Sequence, residues 1–314
     1  MINPLTAVSK GLGALMRKSS YSGTTVEPRP RGENLWQREG RALVSRVDAG
    51  QNLKASIKQC LDNLGGLERL VRTGDTVLLK PNYNSNDPSP ATTDPAFLRA
   101  VAELVREAGA GRVVIGDSSG LPWLPTRKAL TSLGILEELR EIGDEFLLFD
   151  ELEFVRVRIG GQYLDSIGIA ERAYRAPKLI YLSCMKTHRL ARFTMSLKLA
   201  MGLVDPSDRP GMHMRNLEQK LAEVNKAIGP ELVIMDGRRS FVTGGPDSGQ
   251  VETPGLILCS GDQVAIDVEG LKVIQSYHAR NRIEGSIWDL PLLARSVEMG
   301  VGAASDDDYQ VVQA

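Results

Sequence analysis

Between positions 186 and 198 stand five residues that carry or can carry positive charge: Lys186, His188, Arg189, Arg192 and Lys198. A solvated surface explains much of such a run. Lys198 differs, because it lies within the apolar pattern Phe193, Met195, Leu197, Leu199, Ala200, Met201 and Leu203. A lysine so surrounded either extends its ammonium to water or meets a partner, since burying an unpaired charge is costly. Facing a cleft among other cations, it would have a lowered pKa suited to base or Schiff-base chemistry. Lys198 and His188 are therefore the candidate catalytic residues.

Polar residues also follow other short apolar runs. Val77-Leu78-Leu79 leads into Lys80-Pro81-Asn82, and Val113-Val114-Ile115 into Gly116-Asp117-Ser118-Ser119-Gly120. The run 179–183 leads to Lys186-Thr187-His188, and Val233-Ile234-Met235 to Asp236-Gly237. If these runs are parallel strands, their followers stand at strand carboxyl ends, where open α/β sheets bind ligands. Lys80, Asn82, Asp117, Ser118, Lys186, Asp236 and Gly245 are thus the candidate substrate-binding residues. The cations would hold a carboxylate or phosphate, and Asp117 and Asp236 would orient those cations or hold a divalent ion.

Simpler roles stand beside these. Lys80 fits a surface lysine, Asn82 a turn and Asp117 a cap. Ser118-Ser119-Gly120 offers backbone N–H groups without completing a P-loop. Gly244-Gly245-Pro246 with Gly249 reads as a tight turn or a lid. Asp262 suits a helix N-cap, whereas Asp267, among Val264, Ala265, Ile266 and Val268, needs a cation such as Arg238, Arg239 or Lys198.

The elements that must position these residues alternate between apolar strands and amphipathic helices. Strands are predicted at 42–44, 76–79, 112–115, 146–149, 154–159, 179–183, 232–235 and 255–259. Helices are predicted at 52–64, 95–108, 126–133, 194–203, 216–228 and 263–274. Near-continuous apolar strands separated by such helices imply an α/β fold, a mainly parallel sheet with helices on both faces. A lobe boundary near 150–175, with a small β-insert around Gly160-Gly161, divides the principal region 41–276. Residues 1–40 read as a mobile lead-in, with a short amphipathic turn or two over 1–16, and 277–314 as a C-terminal helical extension and tail.

Composition narrows the partners. Of 314 residues, 38 are Lys or Arg and 39 are Asp or Glu, so the net charge of −1 gives no general attraction to nucleic acid. Neither a signal peptide nor an apolar run long enough to span a membrane is read. Cys60, Cys184 and Cys259 are widely separated, with no CxxC, and the odd count fits a reducing cytoplasm. His188, His213 and His278 show no HxH or HExxH spacing, so no dedicated metal cage is expected. The cofactor and the oligomeric state are not read from the sequence.

Several ordered motifs carry a family resemblance. Asp75-Thr76-Val77-Leu78-Leu79-Lys80-Pro81-Asn82, Thr92-Thr93-Asp94-Pro95 and Gly116-Asp117-Ser118 are followed by Lys186-Thr187-His188 and Ser196-Leu197-Lys198. Met201-Gly202-Leu203, Asp236-Gly237, Gly245-Pro246 and the run 262–267 complete them. Over 41–276 the chain resembles domain-of-unknown-function family 362, which implies a shared α/β fold but no agreed reaction. Many relatives append a ferredoxin-like segment with clustered cysteines, and this sequence has none. The family usually carries Lys-Asn where this chain has Lys198-Leu199.

The expected function is an enzyme acting on a small anionic metabolite, with Lys198 or His188 moving a proton. A non-catalytic protein that binds a small anion or a cofactor precursor would use the same cluster. A redox partner of a separate ferredoxin rests on the resemblance alone.

Overall fold

A computed structural model describes residues 24–120 and 124–313. The chain begins with β1 (Gln37–Arg38) and β2 (Arg41–Asp48), then alternates through α1 (Leu53–Asp62), β3 (Thr76–Lys80), α2 (Pro95–Glu107) and β4 (Arg112–Asp117). Helices α3 (Thr126–Leu133) and α4 (Leu136–Ile142) lead to β5 (Glu145–Leu148). A separate antiparallel pair, β6 (Phe154–Arg158) and β7 (Ser166–Ala170), precedes α5 (Glu171–Tyr174). Next come β8 (Lys178–His188), β9 (Arg192–Thr194), α6 (Ser196–Leu199), α7 (Arg209–Met214), α8 (Leu217–Ala227) and β10 (Leu232–Phe241). The chain closes with β11 (Val251–Glu252), β12 (Leu256–Ser260), α9 (Gln263–Ser276), α10 (Pro291–Glu298) and β13 (Tyr309–Gln313).

Strands β10, β8, β3, β4 and β5 lie side by side and parallel, which is the expected mainly parallel sheet. Beyond β10, β12 runs antiparallel, β2 is antiparallel to β12, and β13 runs parallel to β2. Alternation along the central strands divides the interior in two. Val77, Leu79, Val113 and Ile115 pack with Ile57, Phe97, Val101 and Leu139 on one face. Leu78, Val114, Leu179 and Val233 pack with Leu197, Leu221, Val268 and Leu271 on the other. Period-two side chains in continuous apolar strands require helices on both faces.

Local signals set several boundaries. Asp94 accepts from the Ala96 N–H at 3.0 Å and Pro95 occupies the first turn, so α2 starts where its donors are satisfied. Asp262 caps α9, as its position suggests, accepting from Val264 and Ala265 at 2.9 Å each.

Elsewhere tertiary pairing overrides the local pattern. The continuous helix expected over 194–203 is instead a strand end, one α turn and a 3-10 turn, because Thr194 pairs with Lys186 across β8 and β9. The short strand expected at 42–44 extends to eight residues between β12 and β13. The described part of the expected C-terminal extension, 277–313, carries α10 and ends as a strand of the main sheet. Residues 24–40 are tied down: Val26 bridges Val157, Arg29 pairs with Glu231 at 2.7 Å, and Trp36 is buried. The amphipathic turn expected over 1–16 lies outside the described residues. Among those described, no helix is long and apolar enough to cross a membrane.

Candidate functional site

The carboxyl ends of β3 and β4 supply the base of the site. Lys80 ends β3 and Asp117 ends the adjacent β4, and their side chains meet at 2.7 Å with almost no exposure. Lys80 Nζ also donates to the Pro81 carbonyl at 2.9 Å. Asp117 accepts further from the Tyr83 N–H at 2.6 Å and the Ser118 N–H at 2.7 Å. Burial alone pushes the Lys80 ammonium down and the Asp117 carboxyl up, toward their neutral forms. Their mutual attraction and the two backbone donors oppose that drift. Gly202 packs directly on the pair: a Cβ there would collide with Asp117 Oδ1 and stand 2.7 Å from Lys80 Nζ.

β8 supplies the second cation. Its register with β3 closes at Lys80–Tyr181, so the strand continues seven residues beyond the end of its partner. Lys186 lies on that overhang, fully buried, and donates to the carbonyls of Ala91 and of Pro246, the latter at 3.0 Å. Two acceptors leave one ammonium N–H unassigned. No ion pair forms, and burial pulls the pKa of Lys186 down to about 8.

Lys198 arrives on α6, whose position is fixed from below. Asp267, buried in α9, accepts from the N–H groups of Ser196 and Leu197 at 2.9 Å each, and Ser196 Oγ donates to Gln263 O at 3.1 Å. Asp267 thus satisfies backbone donors at the start of the turn, rather than pairing with any of the cations considered for it. Burial still raises its pKa to about 7. Lys198 is 6% exposed and, among the described residues, has neither a hydrogen-bond nor an ion-pair partner. Burial first, then the charges of Lys186, Arg209 and Lys80, lower its pKa to about 7.

These side chains surround one narrow cleft. It is lined by Lys80, Asn82, Asp117, Ser118, Lys186 and Lys198, together with Asn84, Thr194, Leu199, Met201, Gly202 and Pro246. Asp117 is the one acidic residue in that lining, and its carboxylate is committed to Lys80. The cleft measures about 340 Å³ to its open mouth. Two further buried polar atoms in its wall, Asn82 Nδ2 and Thr194 Oγ1, lack partners. The Cys184 thiol is near enough to Asn82 to be a weak acceptor, and its own pKa is pushed up by burial. An unsatisfied buried donor costs about 1–3 kcal/mol, so two beside an unpaired ammonium are unusual without a ligand to satisfy them.

Of the expected residues, Lys80, Asn82, Asp117, Ser118, Lys186 and Lys198 share this cleft; His188, Asp236 and Gly245 do not line it. His188 Nδ1 accepts from the Leu190 and Ala191 N–H groups at 3.0 Å, which leaves the ring proton on Nε2. Burial and the charges of Lys198 and Lys186 drive its pKa far below the usual range, so the imidazole is neutral and its basic nitrogen already engaged. Asp236 is bound in bidentate fashion by Arg238, at 2.9 and 2.7 Å, and Arg238 reaches Asp94 at 2.7 Å. Gly245, at φ +62°, acts one residue from the lining. A Cβ there would strike the Thr187 carbonyl, so glycine allows Pro246 to lie against β8.

Sequence reasoning missed Arg209, Thr194 and the close approach of Gly202. Arg209 is fully buried behind the cleft, donating to Val204 O, Ser119 O and Ser118 Oγ, with burial lowering its pKa to about 10. No periodicity marks it, although Asp208-Arg209-Pro210 is a helix-start pattern that could have drawn notice. A divalent ion between Asp117 and Asp236 would have to displace Lys80 and Arg238. Among the described residues, no group of three His, Cys, Asp or Glu side chains is placed to hold a metal.

Residues 77–272 match the family model described as Domain of unknown function (DUF362). The chain belongs to this family. Every residue that lines the cleft falls within the DUF362 match. The thylakoid-associated protein sll1697 of Synechocystis sp. is 31% identical over 247 residues, covering 74% of this chain and 73% of its own length. Among solved structures, the lactate racemase apoprotein of Thermoanaerobacterium thermosaccharolyticum aligns with a TM-score of 0.49 at 13% identity. That alignment covers 82% of this DUF362 chain and 62% of the racemase, a likeness too distant to inform the chemistry.

Proposed function

We propose that the cleft binds a small carboxylate or phosphate and that Lys198 exchanges a proton with it, making the protein an enzyme of small anionic metabolites. The observation that supports this reading is Lys198 itself: a residue 6% exposed, whose ammonium has no partner among the described residues and lies in the field of the buried cations Lys80, Lys186 and Arg209. A protein gains nothing in stability from an uncompensated charge in such a place, whereas an anion would offset it and satisfy Asn82 and Thr194 as well. Lys186 is the anion's main electrostatic anchor. Lys80 stays with Asp117 and shapes the base. With a pKa near ambient pH, Lys198 is suited to general acid–base work.

Calorimetric titration with acetate, oxalate and inorganic phosphate tests the binding. Wild type should bind at least one of them, and Lys186→Met and Lys198→Met should each weaken that binding at least about tenfold, the loss of one charge-assisted contact. Wild-type protein that binds none would defeat the reading. Mass-spectrometric detection of metabolite conversion separates an enzyme from a pure binding protein. The proposed compartment is the cytoplasm; the thylakoid-associated relative makes a membrane-surface location the alternative outcome of cell fractionation.

A further inference from the structure

The two central lysines differ in their surroundings, and the difference suggests different work. Lys186 is held by two carbonyl oxygens, which favour its charged form and fix its position. Lys198 has no acceptor among the described residues, faces the same cleft, and has the apolar Leu199 and Met201 in the adjoining wall. An amine that nothing keeps protonated, fixed on a turn anchored by Asp267, has its lone pair available for attack. Thr194 Oγ1, without a partner among the described residues, and Asn82 Nδ2, with at most the weak Cys184 thiol as acceptor, are donors able to polarise a carbonyl bound in the cleft.

We propose that Lys198 is a covalent nucleophile that forms an imine with a small 2-oxo acid, whose carboxylate is held by Lys186. This deepens the anion-site reading and rests on it. The neutral amine of Lys198 attacks the ketone or aldehyde carbon, forming the C–N bond while the carbonyl electron pair moves to oxygen. A proton moves from nitrogen to that oxygen to give a carbinolamine. The Lys186 ammonium then protonates the hydroxyl, water leaves, and loss of the remaining N–H proton returns Lys186 to its charged form. Amine and carbonyl thus become imine and water, with no oxidant or reductant. A 2-oxo acid fits because Lys186 and Lys198 line the same narrow cleft and lie within each other's field, and such an acid carries its carboxylate and its electrophilic carbon on adjacent atoms. Lys198 is the more readily neutral of the two, with a pKa near 7 against about 8 for Lys186.

The test uses the full chain with glyoxylate and sodium cyanoborohydride, which would reduce the imine to a stable carboxymethyl-lysine, followed by peptide mass spectrometry. Labelling at Lys198 should exceed that at exposed Lys58 by at least about tenfold and be suppressed by acetate. Its rate should rise with pH through about 7, as Lys198 loses its proton within the field of Lys80, Lys186, Arg209, His188, His213 and Asp117. Lys198→Arg, with folding confirmed by circular dichroism, should lose that label while retaining a cation for acetate. Labelling at Lys186 instead, or at Lys198 no faster than at Lys58, overturns the nucleophile assignment. If acetate, oxalate or phosphate still binds in that case, the anion site survives; if none of the three binds wild type, both fall.

Discussion

Asp267 and Ser196, separated by 71 positions in the chain, meet at 2.9 Å between a carboxylate oxygen and a backbone N–H, and this contact places Lys198 two residues further along. A buried carboxylate at the start of the α6 turn serves in place of a side-chain cap from within the turn. Asn in its place keeps one acceptor oxygen but presents an N–H₂ to the second donor. Asp267→Asn is therefore expected to destabilise the fold by about 1–3 kcal/mol and to weaken anion binding through displacement of Lys198. Urea unfolding and calorimetry on the same variant check both effects.

The pH dependence of stability should have two opposing limbs. Asp267 has a folded pKa raised to about 7 from an ordinary 3.8, so the folded state binds the extra proton. Its contribution is present below about 4 and lost as pH rises through 7. Lys198 is depressed to about 7 from 10.5, so its contribution is present above about 10 and lost as pH falls through 7. Wild type should therefore be least helped by these two groups near neutrality. Lys198→Met should flatten the alkaline limb, and Asp267→Asn the acid one; denaturation midpoints from pH 4 to 10 show which limb each removes.

Function and stability should oppose each other at Lys198. An apolar side chain of similar length removes a buried charge without leaving a partner stranded, so Lys198→Met is expected to stabilise the protein by about 1–4 kcal/mol at pH 7 while weakening anion binding. The pair below behaves in the opposite sense. Asp117→Ala leaves the Lys80 ammonium buried and unpaired, with a loss of about 3–5 kcal/mol, and Lys80→Met in the same chain should recover part of it. A double-mutant cycle in urea measures the coupling.

Asp236→Asn separates site residues from neighbours of the site. The carboxylate serves Arg238, which also holds Asp94, so the substitution should lower stability by about 1–3 kcal/mol and leave acetate affinity unchanged. A calorimetric loss of binding in the folded variant would place Asp236 in the cleft after all.

His188 should remain neutral from pH 5 to 8, because burial and neighbouring cations disfavour its charged form and two backbone donors occupy Nδ1. Nitrogen-15 chemical shifts of the imidazole should report a single Nε2–H tautomer throughout that range. A titration near 6.5 would restore it as a proton carrier.

The sequence by itself determined the layered α/β fold, because continuous apolar strands alternating with amphipathic helices can be buried only between two helical faces. It also marked Lys80, Asn82, Asp117, Ser118, Lys186 and Lys198, since strand ends and an interrupted apolar pattern are local features. The tertiary structure decided what depends on long-range pairing. β9 returning along β8 brings Thr194 to the cleft, α7 brings Arg209 behind it, and Gly202 descends onto Lys80 and Asp117. It also leaves three expected residues outside the lining: Asp236 is held by Arg238, two positions along on the same face of β10, His188 closes its own turn, and Gly245 stands one residue from the wall. Which charges cancel and which are left unpaired depends on separations of a few ångströms, often between segments tens to more than a hundred residues apart such as Lys80 with Asp117 and Arg238 with Asp94, and local pattern alone does not encode them.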